Sequence, residues 1–118
     1  MCGKGYLVKK YYYIQRNGLA AVIADLTPPG EFHPSWWYIN RIHVMNKYQG
    51  NGDRYGTQVL SQIVSDADQE QAILALEINS YGPLDHDNLE QWYRRYGFEY
   101  DPDLLTVMVR YPQKGIDK

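Results

Sequence analysis

The residues best suited to chemistry lie between Val44 and Thr57. There Asn46-Lys47-Tyr48-Gln49-Gly50-Asn51-Gly52-Asp53-Arg54-Tyr55-Gly56 leads into a helical pattern. The start of a helix directs backbone N–H groups and partial positive charge outward, an arrangement that attracts phosphate. Glycines at such a turn let the backbone approach a ligand closely and adopt positive φ. A Gly-Asn-Gly tip also suits a plain surface turn, so the pattern needs support from elsewhere in the chain. A P-loop is excluded because no Gly-Lys-Ser/Thr follows. Gly50-x-Gly52-x-x-x-Gly56 approaches a dinucleotide fingerprint, with Glu77 about twenty residues on as a ribose-binding acid. That fingerprint belongs to a doubly wound parallel sheet. His33 and His86 lack metal-ligand spacing, so no metal is expected.

Composition narrows the field. The 118 residues fit one domain, with 44% hydrophobic and 22% charged residues as in an ordinary globular chain. The net charge of -2, from 12 basic and 14 acidic residues, argues against a nucleic-acid partner, which needs a dominant basic face. The one cysteine, Cys2, allows no internal disulfide and fits a reducing compartment. With no apolar run of membrane length and no signal-peptide core at Met1–Tyr6, the expected location is cytoplasmic, away from any membrane.

The elements that must position the glycine turn follow from periodicity. Tyr6–Gln15 reads as a strand, Asn17-Gly18 as a hairpin turn, and Leu19–Leu26 as the returning strand. After a proline-rich loop, Trp36–Met45 is a third strand. Trp37, Ile39 and Arg41 are placed on one face and Tyr38, Ile42 and Val44 on the other. From Arg54 to Gln69, Val59, Leu60, Ile63, Val64 and Ala67 recur at helical spacing. Ala72–Asn79 reads as an apolar strand. Asp87–Glu90 reads as a capping box opening a second helix, with Leu89, Trp92, Tyr93 and Tyr96 as its stripe and Gly97 as its terminator. Phe98–Tyr100 and Leu104–Tyr111 complete a β-β-β-α-β-α-β-β order. The expected fold is α+β, a mixed, mainly antiparallel sheet carrying two main helices.

Within that order, Gln49-Gly50-Asn51-Gly52 … Tyr55-Gly56-Thr57-Gln58-Val59-Leu60 resembles the acetyl-CoA motif of the GCN5-related N-acetyltransferases (GNAT), Arg/Gln-x-x-Gly-x-Gly/Ala. Downstream, Trp92-Tyr93-Arg94-Arg95-Tyr96-Gly97-Phe98 resembles the family's second signature, an aromatic-Tyr-x-x-x-Gly-Phe helix end. The resemblance spans Leu19 to Tyr111 and implies the acyl-CoA N-acyltransferase fold. Two departures stand out. The last glycine of the first motif falls at Gly56, as though Asp53-Arg54 had been inserted. The one or two helices that members place between their first two strands are replaced by the Asn17-Gly18 hairpin.

The resemblance implies transfer of an acetyl group from acetyl-CoA, a co-substrate, to an amine, with no metal. It assigns Ile42, Val44, Gln49, Gly50, Asn51, Gly52, Arg54, Tyr55, Gly56 and Thr57 to the coenzyme, with strands Trp37–Met45 and Ile73–Asn79 splaying to admit its pantetheine arm. Tyr93 takes the position of the acid that protonates the departing thiolate, at an ordinary phenol pKa of about 10. Glu77, or less favourably His43, would receive the amine's proton. Trp36 and Trp37 are candidates to line an acceptor cleft, which is expected to be open or completed by a second copy in a homodimer. The competing readings are a coenzyme A-binding module without catalysis and a dinucleotide-binding module.

Overall fold

A computed structural model describes residues 9–45, 55–78 and 86–113, with the backbone alone at Arg16. The elements run β1 (Lys10–Arg16), β2 (Leu19–Thr27), β3 (Trp36–Val44), α1 (Tyr55–Glu70), β4 (Ile73–Glu77), α2 (His86–Arg95), β5 (Glu99–Tyr100) and β6 (Val107–Arg110). Their sheet order is β1-β2-β3-β4-β6-β5. Of the described pairs, β3–β4 is parallel and the rest are antiparallel. This is the mixed, mainly antiparallel α+β sheet with two helices expected from the sequence. No helix of the described residues is long and apolar enough to cross a membrane.

Local sequence explains the main reversals. Asn17 and Gly18 both take positive φ, 53° and 79°, as a tight two-residue hairpin turn requires. The α1 stripe of Val59, Leu60, Ile63 and Ala67 packs on Val22, Ala24 and Leu26 of β2 in one buried cluster. Removing such side chains from water contributes roughly 1.5–3 kcal/mol each. Helix α1 ends with Gln71 at φ 56° while the Ala72 N–H bonds the Ala67 carbonyl at 2.8 Å. Helix α2 ends the same way, with Gly97 at φ 97° and the Phe98 N–H on the Tyr93 carbonyl at 3.3 Å. In both, a left-handed residue lets the chain reverse and satisfies carbonyls the helix leaves over.

The expected capping box is not formed. Helix α2 begins at His86, so Asp87 already lies in its first turn. The Glu90 carboxylate instead accepts from Arg94 Nε and Tyr100 Oη, each at 3.1 Å.

Both helices contribute to one side of the sheet. Leu74 and Leu76 of β4, Met108 of β6, and Trp92, Tyr93 and Tyr96 of α2 join the cluster beneath α1. The opposite side carries a smaller cluster of Trp36, Ala75, Val107 and Val109, with Tyr38 and Ile73 against it. No described helix covers that side. The short Asn17-Gly18 connection supplies nothing that could.

Candidate functional site

The site begins with an irregularity in β3. Asp25 of β2 pairs with Arg41 and the next residue, Leu26, pairs with Ile39, so β3 holds one extra residue, Asn40. The Asn40 amide is pinned by Asp25 Oδ2 at 2.9 Å and Thr27 Oγ1 at 2.8 Å. A bulge of this kind bends its strand and increases its twist. Strand β4 accompanies β3 through Trp36↔Ile73, Trp37↔Leu74 and Tyr38↔Ala75, where the ladder stops. Yet β3 continues to Val44 and β4 to Glu77. The strands therefore part at the bulge.

The extra residue also resets the alternation along β3. Trp37 and Ile39 pack toward the helices, and beyond Asn40 so do Ile42 and Val44. Arg41 and His43 turn to the helix-free side. The sequence expectation had set Arg41 with Ile39 and Ile42 opposite them; the inserted Asn40 is why that parity fails.

On the helix side of the gap stand the start of α1 and the end of α2. Gly56 lies so close to both that a Cβ there would sit 3.5 Å from Val44 Cγ2 and 3.5 Å from Trp92 Cη2. The Trp92 indole N–H donates to Thr57 Oγ1 at 3.1 Å, tying the two helices together. Tyr93 packs between Trp92 and Phe98, with ring centroids 4.9 Å and 5.6 Å away. Burial pushes its phenol up to about 12. The ordinary phenol value assumed from the sequence does not hold, because this ring has left water.

On the helix-free side stands Glu77, the last residue of β4. Its Oε1 accepts from Tyr38 Oη at 3.3 Å and its Oε2 from Thr106 Oγ1 at 2.9 Å. Burial, and then the charge of Glu77, push the Tyr38 phenol up to about 12. Tyr38 therefore stays protonated as the donor. Tyr93 and Glu77 thus flank the parted strands from opposite faces of the sheet.

Solved structures share this fold. The chain superposes on the ribosomal-protein-S18-alanine N-acetyltransferase of Escherichia coli with a TM-score of 0.69, covering 97% of this chain and 76% of that one at 16% identity. Against Tetrahymena GCN5 the TM-score is 0.63, with 94% and 71% covered at 14% identity. This chain has the GCN5-related N-acetyltransferase fold. Within the GNAT fold it is compact: it spans 98% of the anti-CRISPR protein AcrVA5, with 87% of this chain covered, a TM-score of 0.62 and 19% identity. No protein-family model and no curated protein matches the sequence.

The gap between β3 and β4 brings together part of what the sequence proposed. Ile42, Val44, Gly56, Thr57 and Tyr93 gather on the helix side of the gap, and Glu77 lies across it. Gln49, Gly50, Asn51, Gly52 and Arg54 lie outside the described residues. The Tyr55 side chain is 4% exposed in the core, so its ring is spent on packing and its backbone alone could meet a ligand. Trp36 and Trp37 stand at the paired end of β3, away from the gap; Trp36 is buried and stacked by His33 at 3.8 Å. They cannot line a cleft there. The dinucleotide reading fails as well, since the sheet is mainly antiparallel and Glu77 faces away from the helices. Sequence reasoning missed Tyr38, Asn40, Trp92 and Thr106 as site residues. The signals for Asn40 were an amide residue inside a strand and the change of apolar phase across it, from 37 and 39 to 42 and 44.

Proposed function

We propose that the chain transfers an acetyl group from acetyl-CoA to an amine. The observation that carries this reading is the parting of β3 and β4 beyond Tyr38↔Ala75, with Tyr93 on one face and Glu77 on the other. Past that point the β3 backbone borders an opening in place of a neighbouring strand, so its polar groups can hold an extended amide-bearing arm. Gly56 and Thr57, in the first turn of α1, would meet the diphosphate. A solved match to the same fold supports this choice of coenzyme: the PaiA N-acetyltransferase of Thermoplasma acidophilum was determined with coenzyme A (TM-score 0.64, 10% identity, 89% of this chain and 62% of that one covered).

In this reading a main-chain N–H near Val44 polarises the thioester carbonyl, where fixed dipoles act most strongly on developing charge. The neutral amine forms the new C–N bond, the C–S bond breaks, and sulfur leaves with the electron pair. Tyr93 faces the departing sulfur as a hydrogen-bond donor. Full proton transfer from a phenol at about 12 to a thiolate near 8.5 is uphill by about 5 kcal/mol. Tyr93 therefore steadies the thiolate, and solvent completes its protonation. Glu77, held by Tyr38 and Thr106, takes the proton the ammonium must lose.

The test is an initial-rate assay of thiol release from acetyl-CoA over a panel of amines. Amine-dependent release supports the proposal. Tight coenzyme binding with no transfer to any amine would leave the non-catalytic module as the better reading.

A further inference from the structure

The extra residue of β3 is held in place by side chains of β2. The Asn40 amide nitrogen donates both its protons, one to Asp25 Oδ2 at 2.9 Å and one to Thr27 Oγ1 at 2.8 Å. Nitrogen must be the atom that faces them, since an ionised carboxylate offers no proton to an amide oxygen. The other Asp25 oxygen accepts from Arg41 Nε at 3.0 Å. One carboxylate thus grips both Asn40 and Arg41, the two residues of β3 that stand against it. Asp25 and Thr27 alternate with the core residues Ala24 and Leu26, so this clasp lies on the helix-free side. It is across the sheet from Gly56 and Tyr93, and reaches a bound ligand only through the β3 backbone.

The packing of the sheet does not call for the extra residue. Without Asn40, the pairs Leu26↔Ile39 and Asp25↔Arg41 become successive rungs of a regular ladder, and the pairs beyond them are unchanged. Trp37, Ile39, Ile42 and Val44 would still face the helices, now in unbroken alternation, with Arg41 and His43 opposite. The parallel ladder that stops at Tyr38↔Ala75 would run on to Leu76 and Glu77 and set Arg41 beside Glu77. The shorter strand therefore keeps the core and pairs more backbone than the longer one. An insertion that forfeits pairing, yet is fixed by its own set of hydrogen bonds, points to a role in the site.

We infer that Asn40 is a positioning residue: its double donation to Asp25 and Thr27 keeps β3 apart from β4 for the coenzyme's arm, and the fold stands without it. The coenzyme part rests on the acetyl-transfer reading above. The clasp needs two protons on one short side chain. An aspartate of the same shape supplies neither and sets a second carboxylate against Asp25. Exchanging the two residues turns the hydrogen bond round: an amide at 25 donates to a carboxylate at 40, its oxygen still accepts from Arg41, and the Thr27 hydroxyl becomes a donor.

The experiment compares the wild-type protein with Asn40→Asp, the exchanged pair Asp25→Asn/Asn40→Asp, and a deletion of Asn40. The coenzyme A Kd is read by calorimetry, stability by thermal unfolding, and the gap itself by amide hydrogen exchange of the ligand-free protein in NMR. Asn40→Asp should weaken coenzyme A at least tenfold, and the exchanged pair should return the Kd to within threefold of wild type. The deletion should unfold cooperatively with a Tm within about 5 °C of wild type or above it. Its amides over 39–44 and 76–77 should exchange more slowly, as the strands close. Its Kd should rise about 30-fold, the equivalent of two main-chain hydrogen bonds. Three results overturn the inference: a deletion variant that does not fold, one that folds with wild-type Kd and exchange, or an exchanged pair that binds no better than Asn40→Asp. Absence of coenzyme A binding in the wild-type protein would instead sink the acetyl-transfer reading. Unfolding and exchange then decide the clasp alone, and unslowed exchange in the deletion overturns it.

Discussion

Replacing Asp68 with alanine isolates the contact that joins both helix ends to the sheet. Arg110 of β6 is 3% exposed and donates from Nη1 and Nη2 to the two Asp68 oxygens at 2.7 and 3.1 Å. Its Nε donates to the Tyr96 carbonyl, just past the end of α2, at 2.5 Å. The Asp68→Ala change leaves a buried guanidinium with that single acceptor, and takes from the Gln113 N–H its acceptor at 2.8 Å. Stranding one partner of a buried pair costs about 3–5 kcal/mol. With an unfolding entropy of about 2.1 cal/mol/K per residue, a chain of this length loses about 4 °C of Tm per kcal/mol, or about 12–20 °C. The measurement is urea and thermal unfolding followed by circular dichroism. The hydrogen bonds from Arg110 hold the Asp68 carboxyl below the usual carboxylate range. Its contribution is therefore complete above the ordinary value near 4 and lost as pH falls through the lower folded value, so the acid limb of the stability curve should flatten in the variant. The double change Arg110→Met/Asp68→Leu should recover most of the loss, because a well-packed apolar pair replaces a desolvated one. A loss under 1 kcal/mol for Asp68→Ala would show that water already serves this pair and would refute the reasoning.

Three further outcomes follow from named groups. Tyr93→Phe should lower kcat by roughly 10- to 100-fold with acetyl-CoA affinity within twofold, since the ring's packing survives and only the hydroxyl is lost; unchanged turnover removes its role. The same residue should make the fold alkali-sensitive. Unfolded tyrosine ionises near 10 whereas the buried phenol holds its proton to about 12, so about 2–3 kcal/mol should drain away between those pH values in wild type, and less in Tyr93→Phe. Gly97→Ala should cost about 1–2 kcal/mol by urea unfolding, because φ is 97° and the new Cβ would approach Arg110 Nε at 3.4 Å; an unchanged midpoint would contradict the left-handed terminator.

How far the sequence could be read depended on whether a signal was local. The Asn17-Gly18 reversal, the 59-60-63-67 stripe and the Gly97 stop each sit within a few residues, and each is where local chemistry put it. The Asn40 bulge left a mark, since the apolar positions change from 37 and 39 to 42 and 44, but an unbroken strand splits those residues between two faces and nothing local says which reading holds. What holds it, Asp25 and Thr27, comes from the neighbouring strand. Gln71 ends α1 at a φ usually left to glycine, so nothing in its residue type announced it. The Tyr38–Glu77–Thr106 set is assembled from β3, β4 and the turn before β6, so spacing along the chain could not reveal it. Tyr55 looked like a ligand contact because it borders the glycine turn, but its place on the helix stripe sends the ring into the core.

The central claim is best tested by calorimetric titration with acetyl-CoA, coenzyme A, NAD and ATP in parallel. Micromolar binding of both coenzyme A forms, much tighter than NAD or ATP, is the predicted result, and it should weaken when a bulky side chain is placed at Gly56. Equal or tighter binding of NAD, or no heat from any of the four, would contradict the account.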